Sequence, residues 1–171
     1  MIDGFDDPAD DRVVSARPNA LLLFNPVLDL TEGEWIRYAV AGVALVEKKS
    51  PRPDSPEAIA RGRALSPIFH VRAGQPTTFL VHGRDDVIVP WSQAKRLAVA
   101  LKAAGNRCDF VTLDHTGHAF VVAYYRSPET VVVDVLRTAD KFLGSLGYFS
   151  GEPTLAVSPI PAWTPTTSVA R

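Results

Sequence analysis

Two side chains set the chemical question. Asp86 lies in His82-Gly83-Arg84-Asp85-Asp86-Val87-Ile88-Val89-Pro90, and His118 lies in Gly117-His118-Ala119-Phe120. A carboxylate beside an imidazole fixes the ring's tautomer and stabilises the imidazolium that forms when the ring takes up a proton. An imidazole held in this way is a general base for a hydroxyl nucleophile. The two residues are distant in sequence, so the elements between them must bring them together.

Those elements are legible. Thr77 to Val81 is a short apolar run and reads as a strand, with a loop from His82 to Pro90. Ala94, Leu97, Ala98, Leu101 and Ala104 recur at helical spacing, and Gly105 is a plausible stop. Asp109 to Leu113 is rich in β-branched and aromatic residues and reads as a second strand, followed by the loop that carries His118. Strand, helix, strand is the α/β pattern, and its crossover makes the two strands parallel neighbours. Parallel neighbours end on the same edge of the sheet, ~4.8 Å apart, so Asp86 and His118 are expected to meet there.

The flanking sequence extends this pattern. Ala20 to Phe24, bounded by Pro18 and Pro26, suits a strand buried on both faces. Ser55-Pro56-Glu57 looks like a helix start, with the helix running to about Gly62. Residues 32–48 are expected to be helical, with Trp35, Ala39, Val43 and Val46 on one side. Ser127-Pro128-Glu129 opens a last helix that Gly144 ends. Residues 1–18 read as an irregular lead-in. The composition turns to Pro and Thr after Gly151, so residues 1–150 are expected to form the domain and 151–171 a tail.

Other candidates have plainer readings. Asp85 is a turn residue. His82, at a strand end, is structural and orients the loop, and His70 is structural or on the surface. Asp86, His115 and His118 offer a carboxylate and two imidazoles to a metal. The i, i+3 histidines sit in a glycine-containing loop, however, and not in the helical arrangement of a zinc hydrolase, so no metal and no cofactor is expected. Among the serines near the active edge, Ser66, Ser92 and Ser127, the first two look like cap or turn residues. Ser92 is the alternative nucleophile, though nothing around it supplies a strained elbow or oxyanion donors. Phe120, Trp91, Tyr124 and Tyr125 suit an acyl pocket or core packing equally well.

Bulk properties exclude other classes. With 18 basic and 19 acidic residues, the net charge of −1 leaves no electrostatic footprint for nucleic acid or an anionic membrane. The single cysteine, Cys108, allows no intrachain disulfide and reads as a small core residue. The longest apolar run, near Ala39 to Val46, is too short to span a membrane. No signal peptide is visible at the N-terminus, so a soluble, cytoplasmic protein is expected.

The order HG, two residues, D, two residues, VP, then helix, strand and GHxF, resembles the end of an α/β-hydrolase. More narrowly, the chain resembles esterases and lipases of the hormone-sensitive-lipase and acetyl-xylan or feruloyl esterase groups, and more distantly prolyl-oligopeptidase-type hydrolases. Leu21 to Leu30 (LLLFNPVLDL) and Leu65 to Val71 (LSPIFHV) resemble segments between nucleophile and acid in such enzymes. The resemblance covers roughly residues 1–150. It implies the C-terminal part of an α/β-hydrolase fold, a mostly parallel sheet flanked by helices, with Asp86 as the triad acid and His118 as its base.

The chain departs from that pattern at the nucleophile. α/β-Hydrolases order their triad Ser, acid, His, with the serine in a G-x-S-x-G elbow. No such motif occurs here; Gly144-Ser145-Leu146-Gly147 is one residue short and comes after His118. The HGGG-type oxyanion segment is also absent, and the acidic stretch Phe5 to Asp11 resembles the segment after the nucleophile helix in such enzymes. The expectation is a truncated or split carboxylic ester hydrolase acting on a small ester. Its partner would be a second copy or a complementing N-terminal half. The competing reading is a non-catalytic remnant that oligomerises to cover an exposed sheet edge.

Overall fold

The computed structural model describes residues 17–32, 55–122 and 127–157, together with Ala9, Val13 and Ser15. The expected helix over residues 32–48, most of the lead-in, Tyr124, Tyr125 and the tail beyond Val157 lie outside the described residues.

Three strands, β1 (Ala20–Phe24), β2 (Thr77–Gly83) and β3 (Cys108–Leu113), form one sheet in the order β1-β2-β3. Both pairings are parallel, with Leu22 opposite Phe79 and Val81 opposite Val111. Among the described residues three helices accompany them: α1 (Pro56–Leu65), α2 (Trp91–Ala103) and α3 (Glu129–Ser145), with a 3-10 turn over Pro67–His70.

The alternation of side chains along β2 explains the layering. Leu80 points into a cluster with Ala94, Leu97, Ala98 and Leu101, the apolar stripe of α2, and with Leu28 and Cys108. Its neighbours Phe79 and Val81 join Phe120, Val135, Ala139 and Phe142, the last three being the stripe of α3. α2 and α3 therefore cover opposite faces, and β2 is buried on both. Burial pushes the Cys108 thiol above its ordinary pKa, as suits a core residue and not a reactive one.

The helix ends obey local chemistry. The Ser55 hydroxyl accepts from Ala58 N at 3.1 Å, with Pro56 opening α1. α2 closes with Gly105 at φ +77°, where Gly105 N donates to Lys102 O and Asn106 N to Leu101 O, a Schellman arrangement. α3 closes in the same way at Gly147, φ +83°, and not at Gly144. Beyond it, Arg137 Nε donates to Leu155 O at 2.6 Å and Lys141 pairs with Glu152 at 3.6 Å, so residues 152–157 run back along α3.

Two sequence boundaries shift for steric reasons. α1 continues past Gly62 to Leu65, because Gly62 is a packing glycine and not a stop: a Cβ there would sit 3.0 Å from the Leu30 carbonyl oxygen. β2 runs to Gly83 instead of ending at Val81, with His82 opposite Thr112 and Gly83 opposite Leu113. Gly83 permits this because a Cβ there would lie 2.1 Å from the Thr116 carbonyl oxygen. The end of β2 and the loop after β3 thus touch backbone to backbone.

That contact predicts that Gly83→Ala displaces the loop before His118. Urea denaturation should show a loss of about 1–3 kcal/mol, as for other overpacked sites. Gly117→Ala is the control, since its added methyl would meet nothing nearer than Asp85 O at 3.8 Å; a change of about 0.5 kcal/mol or less is expected. Equal losses in both variants would contradict the steric account.

Candidate active site

Asp86 and His118 meet at the C-terminal edge of the sheet. Asp86 sits in the loop after β2, three residues beyond Gly83, and its side chain is fully buried. His118 sits in the loop after β3, and its ring is 31% exposed. His118 Nδ1 lies 2.9 Å from Asp86 Oδ2. An ionised carboxylate only accepts, so the ring proton is on Nδ1 and the lone pair on Nε2. No described group hydrogen-bonds Nε2, which leaves it available as a base.

The carboxylate is fixed from several sides. Oδ1 accepts from Ile88 N at 2.9 Å and Val89 N at 2.8 Å, which closes the acid loop on itself. Oδ2 accepts from Asn25 Nδ2 at 3.0 Å as well as from His118. His82 Nε2, buried in β2, donates to Val89 O at 2.9 Å and lies 3.1 Å from the same Oδ2. Burial by itself pushes the Asp86 carboxyl up. The Asn25 amide, the Val89 N–H, His118 and the Ile88 N–H together outweigh it and hold the carboxyl below its ordinary value of 3.8.

The loop that carries His118 is held just as closely. Arg84 N donates to Leu113 O at 2.9 Å and Asp85 N to Thr116 O at 3.1 Å, so the acid and base loops are laced together. His115 and Ala119 flank His118 with φ of 53° and 61°, the left-handed region that non-glycine residues seldom occupy.

The other candidates fall elsewhere. Asp85 is exposed, with His115 Nδ1 3.8 Å from its carboxylate. His115 itself is 98% exposed, and no group of three metal-binding side chains occurs among the described residues. Ser92 is exposed in the first turn of α2 and hydrogen-bonds to neither Asp86 nor His118. Ser66 is buried and structural: its hydroxyl accepts from Leu30 N at 2.7 Å and donates to Gly62 O at 2.6 Å. Ser127 precedes α3, whose N-cap position is taken by Pro128. Phe120 is fully buried in the α3-side core, so packing and not pocket lining is where it sits. Arg84 and Lys95 each place their charge 5.4 Å from the Trp91 ring centroid. Asn25 is the residue that the sequence does not point to; its signal is no more than an asparagine before a proline at the end of a strand.

A parallel sheet covered on both faces, with an acid and a histidine joined at its C-terminal edge, defines part of an α/β-hydrolase. A profile of the prolyl oligopeptidase family matches residues 25–146, and the chain belongs to that family. The solved esterase 2 of Thermogutta terrifontis is similar in structure: its butyrate-bound form gives a TM-score of 0.69 at 31% identity, over 90% of this chain and 52% of that one. The form phosphorylated by paraoxon gives 0.66 at 30%, over 89% and 49%. RutD of Pseudomonas savastanoi pv. phaseolicola, named a carbamate hydrolase, is 32% identical over 128 residues, 66% of this chain and 47% of its own. The non-reducing polyketide synthase Preu6 of Preussia isomera is 39% identical over 75 residues, 43% of this chain but 3% of the synthase. The chain thus spans about half the length of the solved esterases. No described helix is long and apolar enough to cross a membrane.

The depressed Asp86 pKa gives a signed prediction. Folded Asp86 binds its proton less readily than unfolded Asp86. Its contribution to stability is therefore full above the ordinary value of 3.8 and is lost as pH falls through the lower folded value. Denaturation measured against pH should show wild type losing its advantage over Asp86→Asn across that acidic window. A constant difference between them would contradict it.

Proposed function

We propose that this chain supplies the acid and base of a serine-type carboxylic ester hydrolase, with Asp86 and His118 as two members of a catalytic triad. The observation that carries this reading is the His118 Nδ1–Asp86 Oδ2 contact of 2.9 Å, with no described group hydrogen-bonded to Nε2 at the sheet edge. In this reading a seryl hydroxyl attacks the ester carbonyl and gives its proton to Nε2. The imidazolium, stabilised by Asp86, returns that proton to the departing alkoxide, leaving an acyl-enzyme. Water then repeats the sequence and releases the acid. Esterase 2 of Thermogutta terrifontis has been solved with butyrate and with propionate bound, which favours short acyl groups as substrates here.

Two facts favour a second reading, in which the chain works only in assembly. It spans about half of the solved esterases, and β1 has a sheet neighbour on one side only among the described residues. A second copy or a complementing half would then cover that edge and bring the nucleophile. If neither brings a nucleophile, the chain is a non-catalytic remnant that oligomerises to cover that edge.

Hydrolysis of p-nitrophenyl acetate separates these readings when wild type is compared with His118→Ala and Asp86→Ala. Turnover that falls by about 10²-fold or more in both variants supports an active site, and a serine-directed phosphonate then identifies the nucleophile, with Ser92 tested first. Equal, feeble rates in all three contradict hydrolysis by the isolated chain.

A further inference from the structure

Asn25 joins the two halves of the pair through one amide. It stands just after β1, and its N–H donates to Val81 O at 3.0 Å, continuing the parallel ladder by one residue. Its Nδ2 donates to Asp86 Oδ2 at 3.0 Å and lies 3.5 Å from the carbonyl oxygen of Gly117, the residue before His118. Both groups facing Nδ2 are acceptors. Turning the amide over would set its oxygen against a carboxylate and a carbonyl, so the orientation is fixed.

This arrangement is costly in two ways. Asn25 is 7% exposed, and its Oδ1 is buried with no hydrogen-bond partner among the described residues; an unpaired buried acceptor opposes folding. The backbone is left-handed, φ 47°, where glycine is the least strained residue and asparagine is tolerated. Glycine would suit the backbone and remove the orphaned oxygen. What asparagine adds is the donor to the acid and to the base loop.

We propose that Asn25 is a positioning residue, whose amide holds the Asp86 carboxylate in the orientation that receives His118 and ties the loop before His118 to the end of β1. The inference rests on the proposed hydrolysis only for its purpose, because the geometry is a property of this chain alone.

The test uses the full chain and reads Asp86 itself, by ¹³C NMR titration of its side-chain carboxyl. Asn25→Gly keeps the left-handed backbone and removes the donor; Asp86 should then titrate at higher pH than in wild type, with both core clusters intact. Asn25→Asp places a second carboxylate against the first, so the pair should share a proton and one of the two should titrate well above the ordinary range. A residue that only fills space would leave the Asp86 titration unmoved in Asn25→Gly. Asp86 titrating as in wild type in folded Asn25→Gly overturns the proposal, as does an Asn25→Asp pair in which neither carboxyl titrates above the ordinary range. So does loss of folding in both, since positioning does not require Asn25 for the core. A chain that hydrolyses no ester but shows these shifts sinks the functional reading and leaves the Asn25 assignment standing.

Discussion

A carboxylate without solvent cannot stay ionised unless the protein replaces the water. Asp86 has a fully buried side chain, and each of its oxygens is met by donors from the protein. Those donors come from different places in the chain: the end of β1, the acid loop itself and the loop after β3. Satisfying one charge therefore stitches together every segment at the C-terminal edge of the sheet. His118 gains its tautomer as a consequence, because the only role left to its Nδ1 is to donate.

The surrounding backbone is shaped to permit this convergence. Gly83 lets the end of β2 press against the Thr116 carbonyl, closer than any side chain would allow. Three described non-glycine residues with positive φ, Asn25, His115 and Ala119, all lie in the loops after β1 and β3. Such conformations cost energy and persist where neighbouring contacts over-determine them. Further from the edge, Gln93 performs a similar service. Its Oε1 accepts from Leu28 N and Asp29 N, both at 3.0 Å, and Arg96 pairs with Asp29 at 3.0 Å. The loop after β1 is thereby pinned to α2, which helps to locate Asn25.

Much of this is legible in the residues because it depends on local periodicity. The apolar stripes of α2 and α3 and the short runs of β1 to β3 carry their own signals, and parallel order results from the crossover. The meeting of Asp86 and His118 can be anticipated because both lie just beyond neighbouring parallel strands. Contacts between segments remote in sequence are not legible. Gly62 looks like a helix stop because its packing against Leu30 is a tertiary fact, and β2 looks shorter because the Gly83 contact with Thr116 is one too. Asn25 gives no chemical signal, since its partners lie 61 and 92 residues away. Phe120, an equal candidate for pocket or core, is settled by its place beneath α3.

The central claim is that this chain preassembles the acid–histidine pair with Nε2 free to take a proton. ¹⁵N NMR of the His118 imidazole, at a pH where the ring is neutral, tests it most directly. The account predicts a single tautomer with the proton on Nδ1 and a bare Nε2, a preference that disappears in Asp86→Ala. A wild-type ring that carries its proton mainly on Nε2, or that exchanges between tautomers as a free imidazole does, would contradict it.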